Sequence, residues 1–339
     1  MKIRDILICG LCSMAVVSCA SSDVIDDVLR SEANRIGFET NVSKNSRAMT
    51  NGNFNRFFVY ASYSISTQPQ PVNVFTGDVV TKGTNSWTYS GDRFWVPDAT
   101  YDFYAYSCEN QQMNPNISGH ASFSDRVLQL NGFTANAKHQ HDLLFASVLN
   151  QRRASDGSST PVAFKFSHLL TRVIFTFKSA YPSGYTVIVS NPRLVNFRDK
   201  ADFDGKTMEW ENVERTSDEI EMNLSLATPT ADITSATATT APIYMIPFAY
   251  KKADVTLEFD VQVRKDGKDV LGRTIYATWR PTWLAGHSLN NVITITGGHT
   301  GLNSIRFTAE ITKDPGADND GWNGEDGTLN DMVFEAHGN

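Results

Sequence analysis

The stretch DVTLEFDVQVR (254–264) alternates strictly. Val255, Leu257, Phe259, Val261 and Val263 are apolar, whereas Asp254, Thr256, Glu258, Asp260, Gln262 and Arg264 are polar. A period of two is that of a pleated strand, and a strand with one oily and one wet face belongs to an antiparallel sheet packed on one side. Lys265-Asp266-Gly267-Lys268 follows, and Asp-Gly supplies the turn chemistry of a tight hairpin. Segments 254–264 and 270–279 are therefore expected to pair. In FFVYASYSI (57–65) the same period puts Phe57, Val59, Ala61, Tyr63 and Ile65 on one face, read as the buried one, with the other face wet. Further strands are expected around Trp87–Tyr89, Tyr101–Tyr106, Leu143–Val148, Tyr185–Val189, Ile243–Ile246, Asn291–Thr296 and Ser304–Thr312. Nothing longer than a turn or two reads as an amphipathic helix. The fold class expected is all-β.

PVAFKFSHLLTRVIFTFK (161–178) changes phase. Val162, Phe164 and Phe166 occupy even positions, but Val173, Phe175 and Phe177 occupy odd ones. The register must shift near His168–Arg172, by a bulge or a tight connection. At 339 residues the chain exceeds one ordinary core, and the polar run NQRRASDGSST (150–160) is a candidate linker. The expected division is an N-terminal β-sandwich at 36–150, a C-terminal one at 160–322 and an acidic tail at 323–339. LATPTADITSATATTAP (226–242) reads as a long loop or edge strand of the second half. With 41% hydrophobic and 20% charged residues the chain can build globular cores. Its net charge of −7 and lack of a long basic run argue against a nucleic-acid partner.

Residues 1–18 read as an export signal. Lys2 and Arg4 precede the uncharged run Ile6–Ser18, which is too short to span a bilayer and lacks the spacing of a core helix. Val16-Val17-Ser18-Cys19 resembles a bacterial lipobox, which implies cleavage before Cys19 and acylation of its thiol and new amino group. The alternative is an ordinary secretory signal cut near Ala20. Cys9, Cys12 and Cys19 lie in or beside the leader, so Cys108 is the one cysteine of the body and no intrachain disulfide is available once Cys19 is acylated. Residues 19–35 are polar and acidic, as expected of a tether.

Several segments then resemble one family in order: RIGFETNVSKNSRAMT (35–50), FVYASY (58–63), FYAYS (103–107), HDLLFAS (141–147), FKFSHLLTRVIFTFK (164–178), WLAGHSLNNVITIT (283–296) and ITKDPGADNDGW (311–322). The ordered set is similar to the fimbrillin superfamily of type V pili. The resemblance implies two tandem transthyretin-like antiparallel β-sandwich domains and no enzymatic activity. It further implies a lipoprotein precursor held at the outer membrane through Cys19, then cut by an Arg-specific protease. Loss of the first strand opens a groove that a strand of another fimbrial subunit fills, building a homo- or hetero-polymer on the cell surface. The removable strand would be Ile36–Val42, with Ile36 and Phe38 inward, and the cut would fall at Arg47–Ala48. Arg35 and Arg56 are weaker alternatives, and Arg47 as a plain loop residue is the bland one.

NGEDGTLNDMVFEAHGN (323–339) continues past the family's closing tryptophan. Its apolar cluster Leu329, Met332, Val333 and Phe334 reads equally as a donor strand or an ordinary end. This leaves open a stalk, tip or anchor role, or a non-polymerising surface lipoprotein that binds glycan or host protein. Other chemistry is thin. His139 and His141 would share a strand face without a third metal ligand, and DPGADNDGWNGED (314–326) fails the spacing of a calcium loop. No nucleophile elbow or phosphate loop occurs. No metal or cofactor is expected, and the abundant Trp and Tyr read first as strand packing.

Overall fold

The computed structural model describes residues 34–42, 54–67, 70–108, 121–154, 160–252 and 255–297, and the backbone of four further strands within 307–335. The regular elements are strands. The first are β1 (Phe38–Val42), β2 (Arg56–Ser64), β3 (Val72–Lys82), β4 (Trp87–Tyr89), β5 (Thr100–Cys108), β6 (Ala121–Ser124), β7 (Val127–Thr134), β8 (Leu143–Gln151) and β9 (Val162–His168). Then come β10 (Thr171–Ser179), β11 (Tyr185–Val195), β12 (Lys200–Asp204), β13 (Glu209–Glu214), β14 (Glu221–Asn223), β15 (Thr230–Asp232), β16 (Ala238–Thr239), β17 (Ile243–Met245) and β18 (Phe248–Ala249). The last are β19 (Val255–Lys265), β20 (Lys268–Trp279), β21 (Thr282–Trp283), β22 (His287–Ile295), β23 (Phe307–Lys313), β24 (Asn323–Gly324), β25 (Gly327–Thr328) and β26 (Val333–Glu335).

The hairpin expected from alternation is β19–β20, in register from Val255↔Trp279 to Lys265↔Lys268. Asp266 and Gly267 turn it with φ of 51° and 76°, the left-handed pair that matches strand twist. Opposite it, β10 and β22 present Val173, Phe175, Phe177, Leu289, Ile293 and Ile295 to Val187 and Val189 of β11 and to the inner residues of β19 and β20. Two sheets thus sandwich one core, of order β16-β10-β22-β23-β25 and β14-β11-β19-β20-β26. The low-complexity run 226–242 supplies two short edge strands, β15 on β11 and β16 on β10.

The first half is built differently. Its seven-stranded sheet runs β1-β9-β8-β5-β2-β3-β4, and its central strands β8, β5 and β2 are buried on both faces. Phe57, Val59, Tyr101, Phe103, Leu144 and Ala146 line one core, while Phe58, Tyr60, Tyr104, Tyr106, Leu143 and Phe145 line a second. The wet face expected for FFVYASYSI is therefore corrected. A small sheet, β13-β12-β7-β6, covers it, with Leu128, Leu130, Phe133, Ala201 and Phe203 turned inward. The signal was the unbroken apolar run Phe57–Ala61, which fits a strand with two dry faces.

Sequence division and spatial division do not coincide. β9 pairs with β8 and β1 in the first sheet, so the boundary expected at 160 falls one strand too early. The hairpin β12–β13 also returns to the first half and pairs with β7. The phase change near His168 is a sheet switch: β9 and β10 belong to different sheets, with only Leu169 and Leu170 between them. Both leucines are buried. The Leu169 N–H donates to Leu143 O at 2.9 Å, Trp210 Nε1 donates to Leu169 O at 2.9 Å, and the Gly286 N–H donates to Leu170 O at 3.0 Å. Pairing is antiparallel except for β1–β9, β10–β22 and β22–β24. In the first two the partners are far apart in sequence, as parallel neighbours must be, because they need a long crossover.

Candidate functional site

Phe38 is the centre of the first core. It is 5% exposed, and its ring centroid lies 5.5 Å from Phe75, 5.6 Å from Tyr89, 5.8 Å from Phe164, 5.9 Å from Phe57 and 6.3 Å from Phe103. Only the Phe164 ring is stacked on it; the other four meet it at steep angles, the arrangement aromatic quadrupoles prefer. These rings come from five different strands. The strand that carries the plug is short, with alternation placing Glu39 and Asn41 outward. It pairs in parallel with β9 through Phe38↔Val162, Thr40↔Phe164 and Val42↔Phe166, and it is the terminal strand of its sheet.

The residues before it form a second attachment. Ile36 is fully buried; its N–H donates to Arg93 O at 2.8 Å, and its carbonyl accepts from Tyr89 Oη at 2.7 Å. Burial pushes the Tyr89 phenol above its ordinary pKa, with Arg35 opposing, so the hydroxyl remains a donor at neutral pH. Arg35 bridges to Phe94, reaches Asp92 at 3.4 Å and lies 5.0 Å from the Tyr89 ring centroid. Beside β1 opens a cleft of about 530 Å³ lined by Glu39–Asn41, Phe54, Lys82, Trp87 and Ala163–Lys165. The two ends of the sheet, β1 and β4, approach each other across it.

This arrangement can do one thing chemically. A strand of five residues is held by one ladder, by Ile36 and by one deeply seated ring, next to an open cleft. Its removal would expose five aromatic faces and the edge of β9. Cys19, Arg47 and Ala48 lie outside the described residues, as do the leader and Leu329 and Met332 of the tail. Of the weaker alternatives, Arg35 makes an isolated bridge to Phe94 and Arg56 opens β2, paired with Thr81.

Elsewhere the expected chemistry is rearranged. His139 and His141 lie in the loop before β8, not on a strand, and His139 Nδ1 meets Thr134 Oγ1 at 3.3 Å. Gln140 between them clamps Tyr244 of the second half, donating to its carbonyl at 3.2 Å and accepting from its N–H at 2.8 Å. Asp142 is buried against His168, with Nδ1 at 2.9 Å from Oδ2, a pair the sequence reading did not find. Among the described residues no cluster of three His, Cys, Asp or Glu side chains converges to hold a metal. Cys108 is a buried cysteine on β5, outside any disulfide.

Comparison with known proteins gives one sequence-level match: the model of the family described as fimbrillin-like fits residues 40–313. No curated protein matches the chain. Among solved structures, candidate cell adhesion proteins from Bacteroides uniformis and Bacteroides ovatus are similar at 16% and 15% identity, with TM-scores of 0.48 and 0.49. Each alignment covers 82% of this chain, and 98% and 96% of theirs. The fimbrial anchor protein Mfa2 from Porphyromonas gingivalis aligns over 82% of this chain and 96% of its own, at 11% identity and a TM-score of 0.34.

Proposed function

Because the chain belongs to the fimbrillin-like family, we propose that it is a structural subunit of a cell-surface fimbria that contributes to adhesion. It is exported as a lipoprotein precursor, acylated at Cys19 and held at the outer membrane, where two or more acyl chains give durable anchoring. An Arg-specific protease then cuts between Arg47 and Ala48. Strand β1 leaves, and a strand from another subunit enters the groove, pairs with the exposed edge of β9 and fills the pocket vacated by Phe38. The role is mechanical and adhesive, without catalysis.

The observation that carries this reading is the seating of Phe38. Five rings from five strands converge on one side chain delivered by a five-residue edge strand. A core built around a removable plug leaves a deep receptor for an equivalent ring once the plug is gone. The edge supplies hydrogen bonds that any strand can satisfy, and the pocket supplies selection.

Digestion of the purified precursor with an arginine-specific protease tests it. N-terminal sequencing should place the nick before Ala48, and multimers resistant to SDS should follow. Arg47→Ala should abolish both. Cleavage that leaves only monomers, or multimers that form equally well from Arg47→Ala, overturns strand exchange. Incorporation of labelled palmitate, lost in Cys19→Ala, tests the anchor separately.

A further inference from the structure

Far from β1, a cleft of about 470 Å³ is lined by Arg198, Arg215, Phe248, Tyr250, Lys251 and Lys252. The side chains arrive from three separate segments: the connections following β11 and β13, and β18 with the connection after it. Its aromatic wall is fixed in place. Phe248 is held by the β18–β21 ladder opposite Trp283; its ring lies 4.8 Å from Tyr250 at 89°, and Tyr250 lies 5.3 Å from Trp283 at 79°. The Tyr250 N–H donates to Pro281 O at 3.1 Å. Arg198 is then locked to this wall: its backbone N–H donates to Tyr250 Oη at 2.8 Å, its Nη1 donates to Val213 O at 3.1 Å, and its Cζ lies 4.8 Å from the Phe248 ring centroid. An arginine held at both its backbone and its guanidinium is prepared to receive a charge rather than left to find one.

The charge is out of keeping with the chain. Four cations converge in a protein of net charge −7, and among the described residues no carboxylate lines the cleft. Two acids adjacent in sequence to cleft residues, Asp199 and Glu214, are engaged elsewhere. Buried Asp199 accepts from the Thr216 N–H at 2.8 Å and from Thr216 Oγ1 at 2.7 Å, and Glu214 pairs with Lys200 at 2.8 Å. The like charges of Arg198, Lys251 and Lys252 around one concavity repel each other, and an anion in the cleft relieves that repulsion.

Shape narrows the class of anion. The volume lies within the range of small-molecule sites and is far more than a bare oxyanion fills. A peptide strand is poorly served, because the lining comes from three segments and the Arg198 and Tyr250 N–H groups are already bonded. A half-buried phenyl ring beside guanidinium and ammonium groups suits a compact ring with C–H faces and an acidic substituent. We propose that this cleft binds an acidic sugar unit, carboxylated or sulfated, with its anionic group on Arg198, Lys251 and Lys252 and its ring against Phe248. The proposal does not rest on strand exchange, since the cleft shares no residue with β1 or its pocket.

Calorimetric titration of the full chain tests it, with hyaluronan hexasaccharide, a heparin-derived hexasaccharide, sialyllactose, neutral maltohexaose, inorganic phosphate and polyglutamate as probes. At least one acidic saccharide should bind while maltohexaose does not, and the carboxylated and sulfated arms identify the anionic group. Lys252→Glu should weaken binding about tenfold, as expected for the loss of about 1.4 kcal/mol. Lys268→Glu, at the distant β19–β20 turn, should not. Phe248→Ala should weaken binding while circular dichroism remains native; if it does not fold, Lys252→Glu decides. Absence of binding by every acidic saccharide overturns the proposal. So does phosphate binding as tightly as the sugars, polyglutamate binding more tightly, or indifference to Lys252→Glu.

Discussion

The two halves close their cores in opposite ways. In the second sandwich the element that seals the core, β20, is joined to β19 by a tight turn and paired along eleven residues. In the first half it is β1, paired along five residues, parallel to a partner more than a hundred positions away in sequence. The fillings differ too. The second core is largely aliphatic strand residues, such as Val187, Val189, Leu257, Val261, Val263, Ile293 and Ile295. The first is an aromatic nest in which one ring touches five others. A seal that is local in sequence is kept by loop closure as well as by contacts, whereas a seal recruited from far away rests on contacts alone. The first half is thus the part whose closing strand is held by contacts alone, as the proposed strand exchange requires.

Alkaline pH should separate the halves most strongly. Burial pushes Tyr101 and Tyr104 up to about 12 and also raises Tyr60, Tyr89 and Tyr106, all on or beside the first sheet. The folded value lies above the unfolded one of 10.0, so the stability these phenols contribute is whole below pH 10 and is lost as pH rises toward 12. Tyr181 in the second sandwich shifts the same way. The clustered phenols make the first half open first. Cys108, buried on β5, is the reporter: its reaction with a thiol reagent should accelerate above pH 10 before near-ultraviolet dichroism is lost. Simultaneous loss of both signals would erase the distinction.

A paired substitution sharpens it. Phe38→Ala and Phe259→Ala each remove a buried ring and should each cost about 3–5 kcal/mol in urea unfolding. Only Phe38→Ala should speed labelling of Cys108 and change the rate of multimer formation after proteolysis. Phe259, packed on Phe177 at 5.0 Å in the second core, should leave both unchanged. The smallest effect belongs to the turn. Replacing Gly267 by Ala puts a side chain where φ is 76° and should destabilise by about 1 kcal/mol, with no effect on Cys108.

The same contrast governs what the sequence discloses. The β19–β20 hairpin was legible because alternation and an Asp-Gly turn are local, and β4, β5, β8, β17 and β22 were found for similar reasons. The second dry face of β2 was present in Phe58 and Tyr60 but outweighed by the alternation beside it. The placement of β9 and of β12–β13 depends on partners far along the chain, which no local period encodes. The inward positions of Ile36 and Phe38 were read from family resemblance, but the rings around Phe38 come from residues 57 to 164 and were not assembled. The basic cleft was invisible for the same reason. Arg198, Arg215 and the Lys251-Lys252 pair never form a basic run, and topology alone brings them together.

The two-residue junction between β9 and β10 bears on how the molecule carries force. Leu169 and Leu170 span at most about 7 Å when fully extended, so a pull arriving along β9 passes into β10 with almost no slack. The junction is bonded to β8, to Trp210 of β13 and to Gly286 ahead of β22, so three neighbours share the tension before either leucine moves. A chain joined this way behaves under load as one link rather than as two beads on a string.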